Sequence, residues 1–118
     1  MCKPNTLQAL LNETTAGLRD IFGEKLDSVI LYGSYARGDY DEESDVDVMA
    51  KLYLTREEIR AYRPRVSELA SEIGLQYDIL LSIKLQDKAM FDRYFDAMPF
   101  FRNVAKDGVL LFERHDEN

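Results

Sequence analysis

Gly33-Ser34-Tyr35-Ala36-Arg37-Gly38-Asp39-Tyr40-Asp41-Glu42-Glu43-Ser44-Asp45-Val46-Asp47 is the stretch on which the reading of this chain turns. It begins where an apolar run, Val29-Ile30-Leu31-Tyr32, ends. Gly33-Ser34 predicts a tight turn that offers backbone N–H groups and a hydroxyl to an anion, and Gly33 allows that anion a close approach to the backbone. Residues 34–37 predict one helical turn. Asp45 and Asp47 are two apart, so on a strand both carboxylates point to the same face. Acids are depleted in strand interiors, which argues for a use beyond solvation. Mg²⁺ is held by one or two carboxylates together with substrate phosphates. A phosphate cradle followed by a carboxylate pair is the minimal apparatus for moving a nucleotidyl group.

Working outward, residues 26–32 predict a mostly apolar strand and residues 45–53 a second one. Upstream, Asn5 or Thr6 is the expected cap of a helix carrying Leu7, Leu10, Leu11, Leu18, Ile21 and Phe22. Gly23 should end it, and Gly17 argues against an unbroken helix. Downstream, Thr55 with Glu58 forms a capping box for the next helix, and Pro64 predicts a break near Tyr62. Gly74 is expected to end that helix, strand 75–82 to follow, and a helix over 84–97 to carry Leu85, Met90, Phe91 and Tyr94. Pro99 should open a last helix, and Val109–Phe112 a short last strand. Helices alternating with strands predict an α+β domain, a mixed α/β sheet with helices packed against it, over residues 1–118 as one unit.

Composition narrows the function. Fifteen basic against 22 acidic residues give a net charge of −7, which disfavours a polynucleotide substrate because phosphate backbones reward basic surfaces. The charge serves solubility or a basic protein partner. No apolar run approaches the roughly 18 residues of a membrane span, and no apolar signal core is expected at the N-terminus. Cys2 is the only cysteine, so an internal disulfide is excluded and a reducing cytoplasm is the expected location.

Gly33, Ser34, Ala36, Arg37, Gly38, Ser44, Asp45 and Asp47 resemble the GSxARGxxxxxSDxD signature of the DNA polymerase β-like nucleotidyltransferase superfamily. Within it the chain is similar to the minimal nucleotidyltransferases (MNT), the antitoxin half of the HEPN–MNT toxin–antitoxin pair. Leu75-Gln76-Tyr77-Asp78-Ile79-Leu80 resembles the family's third-carboxylate strand. Residues 101–112 resemble its closing helix and strand, with Asp107 where Glu is commoner. The resemblance implies the polymerase β-like fold in minimal form. It implies ATP as nucleotide substrate, Mg²⁺ (two ions) held by Asp45, Asp47 and Asp78, and Gly33, Ser34 and Arg37 on the nucleotide. It also implies transfer of AMP to a tyrosine of a HEPN ribonuclease toxin, which silences the toxin. Asp78, costly in an apolar strand unless compensated, would be the third metal or base residue, or else the partner of an arginine such as Arg37.

Alternatives stay open at this stage. The same motif serves enzymes that modify small molecules such as aminoglycosides, although 118 residues leave little room for a substrate domain. A non-catalytic module that occludes a toxin is the other rival. Arg37 suits phosphate contact and a loop-locking salt bridge equally. Tyr35 and Tyr40 would stack on a base or pack the loop. Ser44 would cap the turn before Asp45. Asp41, Glu42 and Glu43 read as a solvated loop. Arg56, Arg60 and Arg63 read first as a solvated helix face, with nucleotide phosphates or a partner as the alternative. His115, in a polar tail without neighbouring ligands, has no expected metal role.

Overall fold

The computed structural model describes residues 4–41 and 43–114. Cys2, Glu42 and His115 lie outside the described residues. Helix α1 (Pro4–Phe22) leads through a short 3₁₀ turn into β1 (Leu26–Tyr32), a single helical turn α2 (Ser34–Arg37) and β2 (Val46–Leu52). Then come α3 (Arg56–Ile59), a 3₁₀ turn, α4 (Arg63–Tyr77), β3 (Leu81–Asp87), α5 (Lys88–Tyr94), α6 (Pro99–Asp107) and β4 (Val109–Glu113). The sheet runs β3-β2-β1-β4. β1 is antiparallel to both β2 and β4, while β2 and β3 are parallel. This is the expected mixed sheet with helices against it.

Strand alternation divides β2 between two cores. Val46, Val48, Ala50 and Leu52 are fully buried in the larger core, with Leu10, Leu18 and Phe22 of α1 and Val66 and Ile73 of α4. Burying each valine, leucine, isoleucine or phenylalanine side chain there contributes about 1.5–3 kcal/mol before the entropy cost. Met49, on the opposite face, is buried with Ile30, Phe91, Phe101 and Val104 under α5 and α6. Asp47 shares the face of Met49 but lies nearer the start of the strand, where it stays half-buried.

Several expected boundaries moved. α1 is continuous through Gly17, where α4 packs close: a Cβ there would lie 2.7 Å from Leu69 Cδ1. Its first turn begins at Pro4 rather than at a cap on Asn5 or Thr6, in keeping with the preference of proline for that position. Pro64 sits in the first turn of α4, so the expected break is a 3₁₀ turn at Arg60–Tyr62. Arg56, Arg60 and Arg63 therefore do not share one helix.

Gly74 does not end α4. Its carbonyl accepts the N–H groups of Asp78 and Ile79, and a Cβ on it would sit 2.8 Å from the Ile79 carbonyl. The glycine gives the chain room to fold back over the helix end three residues later. The third strand accordingly begins at Leu81, not at residue 75. Residues 84–87 extend it, so Leu85 belongs to a strand and the following helix is confined to Lys88–Tyr94.

The capping box is formed as expected: Glu58 N–H donates to Thr55 Oγ1 at 3.2 Å, and Thr55 N–H to Glu58 Oε1 at 2.9 Å. Thr55→Ala should destabilise the protein by about 1 kcal/mol, seen as a fall of about 4 °C in the thermal midpoint. An unchanged midpoint would show that packing of Ile59 alone holds this turn.

Candidate active site

The sequence order of the strands brings the candidate residues to one end of the sheet. β1 ends at Tyr32, which stands opposite Asp47 in the β1–β2 register. Gly33 follows with φ 77° and ψ −157°, a backbone region that belongs to glycine. A Cβ at this position would lie 2.5 Å from Asp47 Oδ2, so the bare Cα lets the second carboxylate lie against the turn. Gly33, not Ser34, is the N-cap of α2, and its carbonyl accepts the N–H groups of Ala36 and Arg37. Ser34 is therefore not spent as a helix cap, and its hydroxyl makes no hydrogen bond among the described residues. Gly38 closes the turn at φ 84° in the left-handed region.

The two carboxylates are near enough for the charge of one to act on the other, although only Asp47 lies on the strand where both were expected. Asp45 lies just ahead of β2 and Asp47 on its second residue. Burial raises the Asp47 pKa above the ordinary carboxylate range, and the charge of Asp45 raises it further; Arg37 opposes both. Burial also pushes Tyr32 up to about 12, with the Asp47 charge adding to it. The Tyr32 hydroxyl thus stays protonated beside the carboxylate. A half-buried acid whose charge is disfavoured by burial and by a neighbouring carboxylate forms a site that a divalent cation would relieve. The pair fits the one or two carboxylates that Mg²⁺ takes from protein. No cluster of three or more acidic, histidine or cysteine ligands occurs among the described residues.

Asp78 does not stand with the pair. It is exposed in the left-handed conformation at φ 52° and ψ 48°, as the C-cap of α4 and not on a strand. The β3 residue opposite Asp47 is Ser82. Asp78 is tied to the same end of the sheet through Leu80, whose carbonyl accepts the Val46 N–H at 2.9 Å.

Asp41 and Glu43 of the loop between the cradle and the carboxylates are exposed, as expected of a solvated acidic run, and the loop is also hydrogen-bonded. Asp41 Oδ1 accepts the Glu43 N–H at 2.9 Å and the Ser44 hydroxyl at 3.2 Å, while Ser44 Oγ accepts the Asp41 N–H at 2.9 Å. Asp41 and Ser44 together fix the turn that delivers Asp45, a role the sequence hinted at only for Ser44. Tyr35 is buried and stacks on Tyr40 with ring centroids 4.2 Å apart, so both rings pack the loop. Arg37 Nε lies 3.2 Å from Asp39 Oδ2 in an exposed pair, which contributes little to stability but holds the guanidinium at the rim. The sequence did not single out Tyr32 or Ser82. Both flank Asp47 in the register, and no motif marks them.

Residues 15–108 match the nucleotidyltransferase domain family. The chain is 42% identical over 89 residues to a Methanocaldococcus jannaschii protein named "Putative protein adenylyltransferase MJ0141", covering 74% of this chain and 86% of that one. Its fold is similar to that in the crystal structure of a toxin–antitoxin with AMP-PNP, with TM-score 0.60 and 23% identity over 88% of this chain and 73% of that chain. It is also similar to a structure of the tri-AMPylated Shewanella oneidensis HEPN toxin in complex with MNT antitoxin, with TM-score 0.54 and 20% identity over 91% and 72% of the two chains. Family match and relative together cover the cradle, both carboxylates and most of the sheet: the chain belongs to the nucleotidyltransferase domain family.

Proposed function

We propose that this nucleotidyltransferase transfers AMP from ATP to a tyrosine hydroxyl of a partner toxin of the HEPN class, and so acts as its antitoxin. The observation that carries the reading is the packing of Asp47 against the bare Cα of Gly33. The carboxylate pair and the turn that would cradle the triphosphate are built as one unit. Support for the acceptor comes from the relatives, which include a protein named for protein adenylyltransfer and an MNT antitoxin seen with an AMP-modified toxin.

The acceptor oxygen attacks the α-phosphorus, forming a P–O bond while the bond to pyrophosphate breaks; the hydroxyl proton leaves to a carboxylate or to water. Little covalent work falls to the protein, so positioning and charge neutralisation dominate. Gly33, Ser34 and Arg37 hold the triphosphate. Asp45 and Asp47 would hold Mg²⁺, which supplies positive charge where the phosphates gather it. Asp78 is assigned to the acceptor side, where it accepts the hydroxyl proton.

Co-expression with the product of the neighbouring gene, followed by intact mass measurement, tests this. The partner should be heavier by one or more AMP units, mapped to tyrosine. Asp78→Asn should lower transfer about a hundredfold, the lower range for loss of a positioned base, while nucleotide binding persists. Asparagine tolerates the left-handed conformation, so the variant keeps its helix cap. A bound, inhibited but unmodified partner would instead favour occlusion without turnover, and wild-type transfer by Asp78→Asn would reduce that residue to a cap.

A further inference from the structure

The free edge of β3 is a feature that the site does not use. Among the described residues β3 pairs only with β2. Since the Leu80 carbonyl faces β2 to accept Val46 N–H, strand alternation turns the N–H and C=O groups of Leu81, Ile83 and Leu85 outward. A row of unpaired backbone groups is a template for another strand. Along it runs a trough of about 620 Å³ between α4 and the strand, lined by every residue from Leu81 to Leu85 and by Ser67 and Ser71.

The trough has its own charge. Arg63 and Lys84 line it and no acidic residue does, in a chain of net charge −7. Both cations are exposed, and neither has an ion pair or a side-chain hydrogen bond among the described residues; Lys84 Nζ lies 5.5 Å from the ring centre of Phe100. At one end the trough reaches Tyr32 and Ser82, the two neighbours of Asp47 in the register. It shares Ala70, Ser71 and Leu81 with a mostly apolar hollow of about 500 Å³ at the head of β3, whose one charged lining residue is Asp78. There Leu75 is 84% and Leu80 66% exposed.

We propose that this edge is the docking track for the acceptor protein: an extended acidic segment of the acceptor adds to β3 as a further strand. Its acidic side chains meet Arg63 and Lys84, and an apolar side chain fills the hollow by Leu75 and Leu80. Backbone pairing supplies affinity and alternate side chains supply selectivity. The segment then passes Ser82, which brings its hydroxyl residue to Asp47. The proposal deepens the protein-acceptor reading and rests on it.

The test uses a fluorescent peptide in which glutamate alternates with valine around one tyrosine, its lysine counterpart, and a backbone N-methylated version. The glutamate peptide should bind and slow amide exchange at Leu81, Ile83 and Leu85. Arg63→Glu with Lys84→Glu should weaken it about tenfold or more, the effect of roughly 1.4 kcal/mol, and the same variant should gain the lysine peptide. N-methylation should abolish binding. Affinity for AMP-PNP, measured on the same variant, should not change. If the wild type binds no AMP-PNP, the nucleotidyltransferase reading fails and the peptide result stands apart from it. Equal binding of the glutamate and lysine peptides would overturn the proposal. So would unaltered exchange at the three amides, or protection that depends on protein concentration without peptide, which would assign the edge to a second copy of this chain.

Discussion

Asp45→Asn combined with Asp47→Asn leaves a folded protein whose AMP transfer has fallen by about a thousandfold or more. That loss corresponds to about 4 kcal/mol of transition-state stabilisation, the scale of a bound cation's contribution to charge neutralisation. Both side chains sit at the edge of the buried face and neither is needed by the cores, so unfolding is not the cause. The stability effect has the opposite sign. Burial and Asp45 hold the Asp47 pKa above its ordinary value, so the folded state binds that proton more tightly than the unfolded one. Stability from this group is present at acid pH and lost as pH rises through the folded pKa. At pH 7, without metal, Asp47→Asn alone should therefore raise the thermal midpoint by a few degrees, and Mg²⁺ should stabilise the wild type but not the double variant. Wild-type transfer by the double variant would remove both residues from the site.

Gly33→Ala should be nearly as damaging by a different route. The φ and ψ of Gly33 lie where a Cβ costs about 1–3 kcal/mol, and that Cβ would meet Asp47 Oδ2 at 2.5 Å. The carboxylate can escape only by rotating away from its position. The expected result is a lowered midpoint together with a loss of transfer of about a hundredfold. Gly38→Asn is the control: Gly38 is left-handed with open space around it, and asparagine accepts that conformation, so little should change. Equal tolerance at both glycines, read by transfer rate and by AMP-PNP affinity, would separate the turn from the nucleotide.

The legible parts of this chain were those set by local rules. The strand over residues 26–32, the turn at 34–37, the Thr55–Glu58 box and the helix opening at Pro99 all follow from neighbours a few residues apart. The spacing of two singled out Asp45 and Asp47, although the strand begins one residue late and carries only Asp47. What failed depended on contacts between distant segments. Gly17 looked like a helix breaker until Leu69 explained it. Gly74 looked like a stop, whereas it makes room for the chain that returns over it. That error moved β3 by several residues, took Asp78 off the strand and put Ser82 across from Asp47. Tyr32 and Ser82 became visible only with the register, and the common trough of Lys84 and Arg63 only with the placing of α4 beside β3, because nothing local distinguishes them from ordinary strand and helix residues.

Incubating the protein and its acceptor with ATP labelled either at the α- or at the γ-phosphate tests the central claim most directly. The account predicts label on the acceptor from the α-position alone, with the γ-label leaving as pyrophosphate, and neither label on the acceptor with the Asp45→Asn, Asp47→Asn variant. Transfer of the γ-label, or an acceptor that is bound and inhibited without either label, would contradict it.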